Sequence, residues 1–283
     1  MRQPTWVRSW GEVGSEPGQL FGPVDLTVDA AGHLFVSDTF NHRIQKFDAQ
    51  GRVLLQWGGQ GDNAGRFFGP TGITVDRAGH VWVADSGNHR IQKFDAEGRF
   101  LLQCGRLGRE PGSFANPYGI CVDVEDQVYV SDLNNHRVQR LTSEGEFVLQ
   151  WHGSGTRESA FSLPHGLCVT RKQEVLVVDR DNARIVVFDR EGNHRVTWTE
   201  TAEEGSPLVD PRGITQDERG NIHVSDFATH RIHVFTAAGE PLGIWGASGT
   251  GRSQFANPAG LHAHDDKILV IDLRNHRVQT FSI

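Results

Sequence analysis

PTGITVDRAGHVWVADSGNHRIQKFDAEGRFLLQC, residues 70–104, decides the fold. Pro70 leads into a short β-prone run, Gly72 to Asp76. A turn follows over Arg77-Ala78-Gly79, where Asp76 and Gly79 are the turn formers. Asp bonds its own backbone, and Gly takes positive φ without steric cost. His80 to Ala84 alternates as a second strand, and Asp85 to Asn88 reads as a tight turn. Arg90 to Phe94 is a third strand. Asp95 and Gly98 mark another turn, and Phe100 to Cys104 is a fourth strand. Four strands joined only by turns form one antiparallel meander, with no stretch of helical period between them.

The unit repeats along the whole chain, and a repeat of this length points to a solenoid or a propeller. Pro23, Pro70, Pro117, Pro164, Pro211 and Pro258 fall 47 residues apart. Asp38, Asp85, Asp132, Asp179 and Asp226 keep the same spacing, and Asp272 follows after 46. The residue lost in the sixth unit belongs to the turn at Asp265 and Asp266. Trp10, Trp57, Cys104, Trp151, Trp198 and Trp245 form a third register. The chain stops at Phe281-Ser282-Ile283, the third strand of its unit. It starts with Trp6-Val7-Arg8-Ser9-Trp10, which matches a fourth strand. The expected architecture is all-β: one six-bladed β-propeller domain over residues 1–283, with four-stranded antiparallel blades. The N-terminal strand completes the last blade and closes the ring.

Composition agrees. Glycine stands at 33 of 283 residues, above the usual ~7%, as many turns require. The net charge of −7 argues against a general affinity for nucleic acid or anionic membranes. Cys104, Cys121 and Cys168 form neither a disulfide framework nor a CxxC pair, so buried reduced thiols are expected. Met1 to Trp10 has no apolar run of the signal-peptide kind, and no stretch approaches the ~18 apolar residues of a membrane span. A cytoplasmic location is the simplest expectation.

The segment Asp38-Thr39-Phe40-Asn41-His42-Arg43-Ile44 returns at 85–91 and 132–138. Weaker copies run at 179–185, 226–232 and 272–278. It resembles the NHL repeat, and the resemblance implies a propeller while saying little about function. His42, His89, His136, His230 and His276 lie one blade apart around a ring, so they do not converge on a metal. They are expected to pack and hydrogen-bond at the blade turns. Arg43, Arg90, Arg137, Arg184, Arg231 and Arg277 are expected to pair with turn carboxylates or with neighbouring blades.

Strand order puts the loop entering each inner strand and the turn between strands two and three on one face. The opposite face carries uniform turns, such as 48–51, 95–98 and 189–192. The first face varies. After each repeat proline stand Val24, Thr71, Tyr118, His165, Arg212 and Ala259. After each repeat aspartate stand Thr39-Phe40, Ser86-Gly87, Leu133-Asn134, Arg180-Asp181, Phe227-Ala228 and Leu273-Arg274. Scaffolds carry function on variable loops. Tyr118, His165, Arg180 and Arg212 are therefore expected in an arc over the central opening, assisted by Phe40 and Phe227. The guanidinium groups suit a carboxylate or a phosphate.

Blade four, through 163–167 and 178–185, also resembles a blade of the peptidylglycine amidating lyases. That resemblance implies a zinc ligand at His165 and a catalytic arginine at Arg180. The family's second histidine falls on Ala259 and its tyrosine on Asn134, so most of that site is missing. His262 and His264 on the inner strand of blade six are candidate replacements. His262 departs from the small residues Thr27, Thr74, Cys121, Cys168 and Thr215 at its register, and a metal site would pair it with His165. Single-stranded RNA binding, as in the TRIM-like NHL proteins, would draw on Arg66, Arg106, Arg109, Arg157, Arg180 and Arg212, with Phe40, Tyr118 and Phe227 as stacking rings. Glu110, Glu158, Glu200, Glu203 and Glu204 in the same loops oppose it.

The expected function is binding of a protein, a peptide or a small molecule on the face over the channel, with no cofactor and no metal. The alternatives are a metal-dependent lyase or hydrolase at the same opening, and RNA binding.

Overall fold

The computed structural model describes residues 3–153, 160–199 and 206–283. Six four-stranded antiparallel sheets stand around a central channel. The quoted unit forms strands Pro70–Val75, Val81–Asp85, Arg90–Phe94 and Phe100–Cys104. The turn Ser86–Asn88 winds as one 3-10 turn. The last blade contains Pro258–His264, Lys267–Asp272 and Arg277–Ser282, and Thr5–Trp10 supplies its fourth strand. Thr5 pairs with Ser282 and Trp10 with Val278, so the ring is closed by backbone hydrogen bonds. The shortened turn at Asp265 and Asp266 joins His264 directly opposite Lys267.

Second strands are buried on both faces, because each blade is covered by a neighbour on either side. Alternation survives mainly in the outer strands, such as Val53–Gly58. The core is accordingly a set of wedges between blades. One joins Leu176, Val178 and Ile185 of blade four to Ile214, Ile222 and Phe235 of blade five. Another joins Leu26, Val36 and Phe47 of blade one to Leu269 and Ile271 of blade six.

The repeated polar residues serve this scaffold. Asp132 Oδ2 accepts bonds from Asn135, Arg137 and Gln139, and its Oδ1 accepts the Ala115 N–H. Asp38, Asp85 and Asp272 are bonded in the same way by their own Asn, Arg and Gln. Asp179 keeps Asn182 and Arg184. The histidines of the motif sit at the left-handed end of the turn, φ 52 to 61°. Nδ1 of His42, His89, His136, His230 and His276 accepts a backbone N–H from the next blade, at 2.9–3.2 Å. A ring nitrogen that accepts carries no proton, so each of these imidazoles is fixed as the Nε2–H tautomer.

Inner strands approach one another most closely at Gly72, Gly119, Gly166, Gly213 and Gly260. A Cβ on Gly119 would collide with the His165 carbonyl oxygen and the Gly166 backbone. Both obstacles are main chain and cannot rotate aside. Gly119→Ala is expected to destabilise the fold by about 2 kcal/mol, in the range of other overpacking changes. A denaturant midpoint equal to wild type would show that the ring can expand.

Candidate binding site at the mouth of the channel

The variable residues after the repeat prolines stand at the channel mouth. On blades three to five they touch. The Tyr118 and His165 rings lie 4.0 Å apart between centroids. The Arg212 guanidinium lies close enough to the Tyr118 hydroxyl to act on it electrostatically. It also lies 4.3 Å over the Phe227 ring. Arg212 grips Asp210 through Nε and Nη2, both at 2.8 Å. Arg180 reaches the same carboxylate from blade four, Nε to Oδ1 at 2.6 Å. Five of the six expected residues therefore form one cluster. Phe40 is separate: it is 58% exposed and meets Phe21 edge-on at 5.4 Å on blade one. Its ring is held by the loop before its own inner strand, which strand order alone does not reveal.

Asp210 was not among the expected residues, although it organises the cluster. It precedes a repeat proline, where the other blades carry Gly22, Gly69, Asn116, Leu163 and Asn257. An acid among neutral residues was the signal. Burial acts to raise its carboxyl, but the bonds from Arg212 and Arg180 outweigh burial and hold it below the ordinary range. For Arg212 burial opposes the charge, yet Asp210 and Tyr118 raise its affinity for the proton. His165 is 2% exposed. Burial first, then the charges of Arg212 and Arg180, push its imidazole well below the ordinary value. Its Nδ1 has no hydrogen-bond partner among the described residues. Burial raises the Tyr118 hydroxyl. At neutral pH the cluster thus holds two guanidinium ions and one carboxylate, with a neutral imidazole and a neutral phenol. Asp181 lies farther out, 3.8 Å from Arg180 Nε.

Below the mouth lies a cavity of about 270 Å³ along the channel axis. Tyr118 and Arg212 stand at its upper end, Arg171 and Gln216 at its lower end. Cys121 and Cys168 line this cavity and are partly exposed, which corrects the expectation of thiols buried in the core. Inner-strand side chains face the channel, and composition cannot distinguish that lining from core. His262 also lines the cavity, whereas His165 belongs to the mouth. No group of three or more His, Cys, Asp or Glu suited to a metal occurs among the described residues.

The NHL repeat profile matches residues 22–47, 67–94, 114–141 and 161–188, which are the first three strands of blades one to four. The chain is a propeller of NHL repeats. Blades five and six share the strand order of the matched four. The NHL propeller resembles the solved virginiamycin B lyase of Staphylococcus aureus, with a TM-score of 0.69 at 15% identity over 98% of both chains. A streptogramin B lyase superposes with a TM-score of 0.69 at 17% identity, covering 99% of this chain and 88% of the other. A protein of unknown function from Bacteroides thetaiotaomicron gives 0.74 at 13%, covering 96% and 74%. At such identities the likeness is one of fold. No curated protein sequence matches the chain. Among the described residues no helix is long and apolar enough to cross a membrane.

Proposed function

We propose that this NHL propeller is a recognition module. Its ligand is a protein or peptide segment, or a small molecule, that presents a carboxylate or phosphate to Arg180 and Arg212 at the channel mouth. The observation that carries this reading is the convergence of two guanidinium groups from neighbouring blades on one carboxylate. Neither arginine belongs to the Asp–Asn–Arg–Gln network that repeats for the fold. Asp210 occupies the place an external carboxylate would take. Arg180 is 27% exposed beside it, and its terminal nitrogens make no hydrogen bond to described residues. Phe227 and Tyr118 add apolar faces on either side of Arg212.

A panel of short peptides with free C-terminal carboxylates, inorganic phosphate and single-stranded RNA tests the reading by titration calorimetry. A carboxylate or phosphate probe is expected to bind saturably and to weaken with added salt. Arg180→Ala removes a charge-assisted hydrogen bond, with about 10-fold or greater loss of affinity. Binding unchanged in both Arg180→Ala and Arg212→Ala would sink the proposal. Preference for RNA over every peptide would transfer the site to the RNA alternative. Of the loop residues that bear on RNA, Arg157, Glu158, Glu200, Glu203 and Glu204 lie outside the described residues.

Two of the structural neighbours are lyases, and the lyase alternative is weaker on the state of the groups at the mouth. An acid–base catalyst works best with a pKa near the operating pH. Here His165 is displaced well below neutrality and Tyr118 upward from its usual value. Recognition requires neither group to move a proton.

A further inference from the structure

Two rings of inner-strand residues line the channel cavity, one pleat apart. The upper ring reads Asp25, Gly72, Gly119, Gly166, Gly213 and Gly260. The lower ring reads Thr27, Thr74, Cys121, Cys168, Thr215 and His262. Asp25 breaks the glycine ring at the level where a Cβ on any of the five glycines meets the next blade. The regular strand of blade one spans Leu26–Val28, whereas the other five inner strands run for six or seven residues, although Val24 and Asp25 still bond the Ser37 backbone.

The Asp25 carboxylate leans into the room left by Gly260. Leu26 N–H donates to Oδ1 at 2.9 Å and Ile73 N–H to Oδ2 at 3.2 Å. Among the described residues no basic side chain pairs with it. Burial, only partly offset by those two bonds, raises its pKa to about 7. A half-buried carboxylate with no cationic partner among the described residues costs stability, and it is not needed to build a blade. Costs of this kind gather at functional sites.

His262 lies two residues beyond Gly260 on the same strand, so it faces the same side one pleat lower. It makes no hydrogen bond to described residues. Burial, then the neighbouring His264, lower its pKa to about 4, so it is a neutral imidazole at pH 7. Two residues of strand span about 7 Å. One N–H-bearing group, about 2.9 Å from each partner, spans much of that gap.

We propose that the channel cavity is a second binding site, which holds a small primary-amine cation between the Asp25 carboxylate and the His262 imidazole. The carboxylate is the only acidic group in the cavity wall among the described residues. The other titratable residues of the wall are Tyr118, Cys121, Cys168, Arg171, Arg212 and His262. Burial raises Tyr118 and both thiols, so they stay uncharged. Arg212 is compensated by Asp210, and Arg171 stands at the far end. Thr27 and Thr74 line the same cavity. The cavity has room for roughly nine water-sized groups, which limits the ligand to a short alkyl or hydroxyalkyl amine. This proposal does not rest on the ligand proposed at the mouth, although Tyr118 and Arg212 border both.

The test is calorimetric titration of the full chain with methylammonium, butylammonium and ethanolamine, with propanamide as neutral control, at pH 6, 7 and 8. A cation and a proton compete for one carboxylate. Amine affinity is therefore expected to be about tenfold weaker at pH 6 than at pH 8, with proton release on binding at pH 7. Asp25→Asn abolishes binding, and His262→Ala weakens it. Asp25→Gly restores the sixth glycine and is expected to melt no lower than wild type while losing the amine. The proposal is overturned if propanamide binds as well as the amines, if no amine binds at pH 8, or if affinity is the same at pH 6 and 8. It also fails if Asp25→Gly unfolds, which would make Asp25 a structural residue.

Discussion

Arg137→Ala is expected to lower the unfolding free energy by about 3–5 kcal/mol, the usual result of removing one partner from a buried ion pair. Arg137 is 2% exposed, and all five of its N–H groups are used. Nε donates to Asp132 at 2.7 Å. Nη1 donates to the Arg109 carbonyl and to Gln150. Nη2 donates to the carbonyls of Glu110 and Ser113. The side chain thus ties the outer strand and the loop entering blade three to the buried turn. Alanine would leave the fully buried Asp132 without its cation and the Arg109 carbonyl without its donor, and the Glu110 and Ser113 carbonyls would each lose one of two donors. Lysine would not rescue the protein, because an ammonium cannot reproduce the planar fork. Urea titration of wild type, Arg137→Ala and Arg137→Lys reads the effect. A loss under about 1 kcal/mol for alanine would place this network among ordinary surface pairs.

Removal of residues 1–10 is expected to lower the melting temperature by more than about 10 °C, since each kcal/mol moves a chain of this size by about 2–4 °C. The strand Thr5–Trp10 is the fourth strand of the last blade. Trp10 packs 4.4 Å from Phe47 of blade one, and Trp6 packs on the wedge containing Trp245 and Phe281. Without it the strand Arg277–Ser282 becomes an open edge, and open edges pair with other chains. The shortened protein should therefore associate in a concentration-dependent way on size exclusion. A synthetic peptide of residues 3–11 should restore both the melting point and the elution volume. An unchanged melting temperature would mean that the ring closes without its terminal strand.

The fold was legible because identical physics is written six times. Pro, Asp and Trp registers at a 47-residue spacing fix the strand order, and the odd strand at the N-terminus fixes closure. The arc of Tyr118, His165, Arg180 and Arg212 was legible for the same reason, as departures from a repeat. Asp210 and Asp25 are departures too, at the positions before and two after the repeat proline, and comparison of those columns would have exposed both. Phe40 stands apart from the other five because a register gives the face on which a side chain sits, not its neighbour across the ring. The state of His165 and Asp25 was beyond the sequence, since it depends on how far the neighbouring blades cover each side chain.

The histidine bonds give the ring an uneven response to salt. Five seams are closed by imidazole-to-amide bonds between neutral groups. The seam between blades four and five has Ala183 where the other turns have histidine, and the side-chain bond that crosses it at the mouth is Arg180 to Asp210. Screening by ions acts on that pair and leaves the neutral bonds alone. Among the described residues ion pairs cross one other joint, that between blades three and four, where Arg190 meets Asp123 and Glu125 on the opposite face. Amide hydrogen exchange at the facing edges of these two joints should quicken with salt more than at the other four.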